Sequence, residues 1–138
     1  MLSLSMGVTI ISNDDEMELW SGSCSSFGDF RIELAELIGL ESYRYGIYKR
    51  ENGKRYTFKK AKEDVESKGP GAVAFFMHSD CEGEWTSEEC GHIINLFENL
   101  EVPEHFSFSI FRSFRTEFES FVKGLEYCKN CNKGVNFY

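Results

Sequence analysis

Residues 78–90 read HSDCEGEWTSEEC and hold the densest set of reactive side chains in the chain. His78, Cys81 and Cys90 stand among Asp80, Glu82, Glu84, Glu88 and Glu89, with Gly83 near the middle. Three chemistries fit those residue types. The first is calcium binding through oxygen ligands. With Gly83 at the turning position of an EF-hand loop, Asp80 falls at position 3, Glu82 at 5, the Glu84 carbonyl at 7, Thr86 at 9 and Glu89 at 12. Position 1 is then His78, a nitrogen donor that a hard cation does not favour. The match is half a hand, and the segment before it contains Pro70, a poor entering helix. The candidate metal residues are Asp80, Glu82, Glu84 and Glu89, for a weak Ca²⁺ site.

The second chemistry is zinc. His78, Cys81, Cys90, His92, Cys128 and Cys131 offer nitrogen and sulfur, and Cys128-x-x-Cys131 has a zinc-ligand spacing. No second CxxC accompanies it, and Cys128 lies on an apolar stripe where a small buried thiol is the ordinary occupant. The third is catalysis. His78 beside Asp80 and Glu82 is the pattern of a general base with an orienting carboxylate. Cys81 is a candidate nucleophile activated by His78. No glycine-rich phosphate loop, G-x-S-x-G or HExxH accompanies them. No catalytic residue is therefore assigned; His78, Asp80 and Glu82 are the centre of the alternative, enzymatic reading.

A structural explanation covers half of the stretch. Thr86-x-x-Glu89 is a capping box, with Trp85 and Cys90 at the two positions of a hydrophobic staple. Glu88 and Glu89 in the first turn suit the helix dipole. The cap leaves His78 to Glu84 unexplained.

These residues need elements to position them. GVTIIS (7–12) and EMELW (16–20) read as a hairpin around NDDE. Phe27, Phe30, Leu34, Leu37 and Ile38 recur at helical spacing after a cap at Ser25 or Ser26, and Gly39 ends that helix. Asn52-Gly53 signals a second hairpin within 40–57. Residues 58–67 form a short helix that stops at Lys68-Gly69-Pro70-Gly71. The apolar run 71–77 is compatible with a strand or a buried helix. Cys90, Ile93, Ile94, Phe97 and Leu100 make one helix face, ended by Val102-Pro103. Phe111, Phe114, Phe118, Phe121, Val122, Leu125 and Cys128 make another, and GVNFY closes the chain as a strand. The expected fold is α+β, with three to four helices packed on a small antiparallel sheet, in one domain spanning residues 1–138.

Composition limits the partners. The chain has 138 residues, 41% hydrophobic, with thirteen Phe against two Pro. A net charge of −8 repels nucleic acid and anionic membrane, so neither is an expected partner. One basic stretch, Tyr48 to Lys62, carries seven Lys or Arg against one Glu and could meet an acidic surface. No run of 18 apolar residues exists, so no membrane span is expected. The start lacks a basic leader, and Met6-Gly7 offers an alternative first residue. The five Cys are an odd number and are expected to be reduced, in a cytoplasm.

HSDCEGEWTSEEC resembles an HSDCDGE-(I/L)-(S/T)-x-x-x-C segment of a family of small, uncharacterised bacterial and phage-type proteins. SSFGDFRIELAELIGL (25–40) resembles that family's early helix, and FVKGLEYCKNCNKGVNFY (121–138) its closing helix and strand. Glu82 and Trp85 depart from the pattern, where Asp and an aliphatic are expected. The resemblance implies a small intracellular domain and carries no catalytic assignment. The reading that results is a binding or interaction module with a protein partner and the HSDCEGE loop as its surface. Its oligomeric state is left open. The alternative is a small hydrolase or nucleotide-handling enzyme.

Overall fold

The computed structural model describes residues 7–40, 42–43, 57–79, 81–103 and 113–138. The hairpin expected at Asn52-Gly53, Asp80, Phe111 and most of the basic stretch lie outside these residues. The elements run β1 (Gly7–Ser12), β2 (Glu18–Ser23), α1 (Cys24–Leu37), α2 (Phe58–Ser67), α3 (Pro70–Phe76), β3 (Gly83–Trp85), α4 (Ser87–Phe97), α5 (Phe114–Asn130) and β4 (Val135–Phe137). The class is α+β as expected, with five helices among the described residues rather than three or four.

The four strands form one antiparallel sheet in the order β2-β1-β4-β3. The β1–β2 hairpin turns at Asp14–Asp15, where Asp15 adopts φ 62°. Ser12, fully buried, organises that turn. Its hydroxyl accepts from the Glu16 and Met17 amides and donates to Asp14 Oδ1 at 2.5 Å. Tyr127 of α5 donates to the other Asp14 oxygen at 2.6 Å, so the turn is tied to the last helix. The Ser12 and Tyr127 hydroxyls hold the Asp14 carboxyl down at about 2, and the same bond pushes the Tyr127 phenol up to about 12.

Cap chemistry sets the helix boundaries. The start of α1 is capped by Ser23, not by Ser25 or Ser26: its hydroxyl accepts from the Ser26 amide. Serine occupies all three positions, so the sequence does not distinguish them; Ser23 wins because the end of β2 leaves it extended, at φ −77° and ψ 155°. Gly39, at φ 82°, closes the helix as expected. The run 71–77 resolves as a helix because Pro70 takes its first turn. There α3 packs directly on α4: a Cβ on Gly71 would overlap the His92 carbonyl. Helix α4 ends at Phe97, ahead of the expected stop at Val102-Pro103, and Leu100 follows in a turn with its amide on the Phe97 carbonyl.

The core is one contiguous cluster dominated by aromatic rings. Phe27, Phe30, Phe75, Phe114, Phe121 and Trp85 are all less than 2% exposed. Phe75 sits at the junction of helices and sheet, with Phe76, Phe97 and Phe121 at 4.8, 5.0 and 5.6 Å between centroids. The first two are edge-to-face, and aromatic pairs contribute about 0.5–1.5 kcal/mol each beyond their buried area. No helix among the described residues is long and apolar enough to cross a membrane.

Candidate functional site

The loop between α3 and β3 is held from four directions. Arg31, only 7% exposed, comes from the buried face of α1. Its guanidinium lies 5.2 Å from the Phe27 ring centroid, and Nη1 donates to the Phe75 and His78 carbonyls. A cation thus meets the carbonyls at the end of α3, where the helix leaves partial negative charge. The second hold is covalent. Cys24, the first residue of α1, forms a disulfide with Cys81, with Cα atoms 5.3 Å apart. The expectation of five reduced cysteines is corrected for this pair. The fold closes 57 residues of sequence separation to within disulfide reach, and nothing in the spacing announced it.

The third hold is His78 itself. Its Nδ1 lies 2.7 Å from the Ser79 carbonyl oxygen and its Nε2 lies 3.2 Å from that of Glu84. The ring packs against Phe137 at 4.3 Å and Trp85 at 5.4 Å between centroids. Gly83 is fitted to that ring. It adopts φ 113°, and a Cβ on it would lie 2.9 Å from both Cε1 and Nε2 of His78. Only glycine accepts both the dihedral and the contact. The fourth hold is the β3–β4 pairing, with Glu84 opposite Asn136. Trp85 anchors its end: the indole is 1% exposed and donates to the Ala74 carbonyl at 2.9 Å. Within the loop, the Ser79 hydroxyl accepts from the Cys81 and Glu82 amides.

Between these holds, Glu82 and Glu84 are exposed. Glu89 is not equivalent to them. Its carboxylate accepts from the Thr86 amide at 2.9 Å while the Thr86 hydroxyl accepts from the Glu89 amide at 3.1 Å, the expected capping box. One Glu89 oxygen is therefore engaged in capping the start of α4. The Glu84 carbonyl, the expected seventh calcium position, faces His78 instead. Asp80 lies outside the described residues. Among the described residues, no group of three or more His, Cys, Asp or Glu side chains is placed to hold a metal ion.

The sulfur and nitrogen candidates disperse in the same way. Cys81 is in the disulfide. Cys90 and Cys128 are fully buried free thiols, and the Cys128 thiol donates to the Gly134 carbonyl at 3.8 Å. The neighbouring Cys128 side chain, with burial, pushes the Cys90 thiol up, away from the thiolate a metal requires. Cys131 is exposed, so the CxxC divides between core and solvent. His92 lies 3.6 Å from Glu88, its neighbour one turn back. The catalytic alternative meets a geometric objection. A general base needs a ring nitrogen facing the proton that it takes. Both His78 nitrogens face backbone carbonyls of their own loop. The ring does border an open groove of about 560 Å³, lined also by Val73, Ala74, Met77, Glu89 and His92.

Arg31 is the residue that sequence reasoning passed over. Its signal was present: it stands one helical turn after Phe27, a charge inside the apolar stripe of α1. Comparison with family models, with curated proteins and with solved structures finds no match to this chain.

Proposed function

We propose that this chain is a small binding module of bacterial or phage type whose recognition surface is the HSDCEGE loop, and that its partner is a protein with a basic surface. One observation carries the reading. Among the loop's described residues, His78, Cys81 and Glu84 are tied to the fold through Arg31, Cys24, Phe137 and β4, while Glu82 and Glu84 are exposed. A rigid backbone presenting exposed carboxylates loses little entropy on docking, and fixed charge steers the approach of a cationic partner. The net charge of −8 adds long-range attraction for the same class of partner. Neither nucleic acid nor membrane belongs to this reading. A cytoplasmic setting is part of it, one in which the Cys24–Cys81 bond meets thiol reductants.

A hydrolase centred on His78, Asp80 and Glu82 is disfavoured because both ring nitrogens face the loop's own carbonyls rather than open space. A weak calcium site at Asp80, Glu82 and Glu84 is the reading that an acidic loop around a glycine still invites. Its test is the melting temperature in EDTA against millimolar Ca²⁺, since binding to the native state alone raises stability by mass action. No shift rejects calcium. The binding module is tested by capture experiments with Asp80→Ala and Glu82→Ala variants. Partners retained by both variants reject the loop as the surface.

A further inference from the structure

The Cys24–Cys81 bond holds together two parts that each have other supports. Cys24 opens α1, whose apolar face is locked in the core by Phe27, Phe30 and Leu34, all fully buried. The loop is held on its other flank by Arg31, the His78–Phe137 contact and the β3–β4 pairing. Opening the bond leaves those supports in place, although Cys24 and Cys81 themselves border the core. It removes the one covalent tie on the middle of the loop, where the Ser79 hydroxyl is the remaining clamp on Cys81 and Glu82. The two sulfurs also differ. Cys81 is half-buried in the loop, whereas Cys24 is 8% exposed at a helix N-terminus.

We propose that Cys24–Cys81 is an exchangeable thiol–disulfide site for small thiols of the glutathione class, and that its opening loosens the 78–84 loop while the core stays folded. A glutathione thiolate attacks the more accessible Cys81 sulfur, and the Cys81–Cys24 bond breaks. The electron pair leaves on Cys24, where the helix N-terminus favours the thiolate. A second glutathione thiolate attacks the outer sulfur of the mixed disulfide. It releases oxidised glutathione and the Cys81 thiolate, and both protein thiolates take protons from water. Two electrons pass from two glutathione molecules to the protein disulfide. This inference does not depend on the loop being a docking surface.

The test uses the whole chain with no substitution. Protein is equilibrated in glutathione buffers of graded ratio, quenched by alkylation and mapped by mass spectrometry. Hydrogen exchange is then measured on the fully oxidised and fully reduced forms. The expected result is that Cys24 and Cys81 change state together, as two of the five cysteines. Amide protection in 78–84 should fall by about tenfold or more on reduction while α4 and α5 keep theirs. A Cys24→Ser, Cys81→Ser double variant should match the reduced form. The proposal is overturned if the bond does not form in air or resists millimolar glutathione. It is equally overturned if reduction unfolds the whole chain, or if residues 78–84 exchange alike in both forms.

Discussion

Gly83→Ala probes the loop at its tightest contact. The new methyl would sit 2.9 Å from Cε1 and Nε2 of His78, closer than any relaxed carbon contact. The φ of 113° is one that a side chain rarely adopts. The backbone strain costs about 1–3 kcal/mol. Pushing the ring away also sacrifices its packing on Phe137 and its hydrogen bond to a loop carbonyl, each worth about 0.5–1.5 kcal/mol. Together the loss is about 2–6 kcal/mol, or a melting temperature lower by roughly 7–20 °C for a chain of this length. Urea unfolding of the oxidised protein reads it directly. The contact part is separable. In a His78→Ala background the methyl has room, so the same substitution should cost about 1–3 kcal/mol less. A cost below about 0.5 kcal/mol, or an equal cost in both backgrounds, would refute a loop built on the Gly83–His78 fit.

Three further outcomes follow from the same packing. Gly124→Ala places a Cβ against Leu19, close enough that the helix must shift off β2, and should destabilise by about 1–3 kcal/mol in urea unfolding. Thr86→Ala removes the hydroxyl from the α4 capping box and should cost about 1 kcal/mol by the same measurement. Asp14 is held below its ordinary 3.8, at about 2, so its contribution to stability is full above pH 4 and disappears as the pH falls through 2. Asp14→Asn, or loss of the donor in Tyr127→Phe, should flatten that acid limb in a pH series of unfolding midpoints.

Much of the fold was legible because apolar spacing carries it. The stripe from Phe114 to Cys128, the closing strand at Val135–Phe137 and the capping box at Thr86 all stand as the sequence implied. The α3 run was ambiguous, since seven residues of apolar sequence fit a strand or a helix; Pro70 in the first turn and the close packing on α4 decide between them. The site was legible as a location but not as an arrangement. His78 and Gly83 stood out as residue types. What they do depends on Phe137, 59 positions from His78, and on Arg31 and Cys24 in another helix. Contacts at such separation leave no local pattern. The cysteines illustrate the same limit: an odd count without a leader argued for reduced thiols, and proximity in the fold paired two of them.

The most direct test of the loop as a recognition surface is affinity capture on immobilised wild-type chain, run beside Asp80→Ala and Glu82→Ala variants whose melting temperatures match it. The proposed function predicts a partner with a basic surface that is retained by the wild type, weakened by salt and lost from the variants. Retention of every partner by both variants would contradict it.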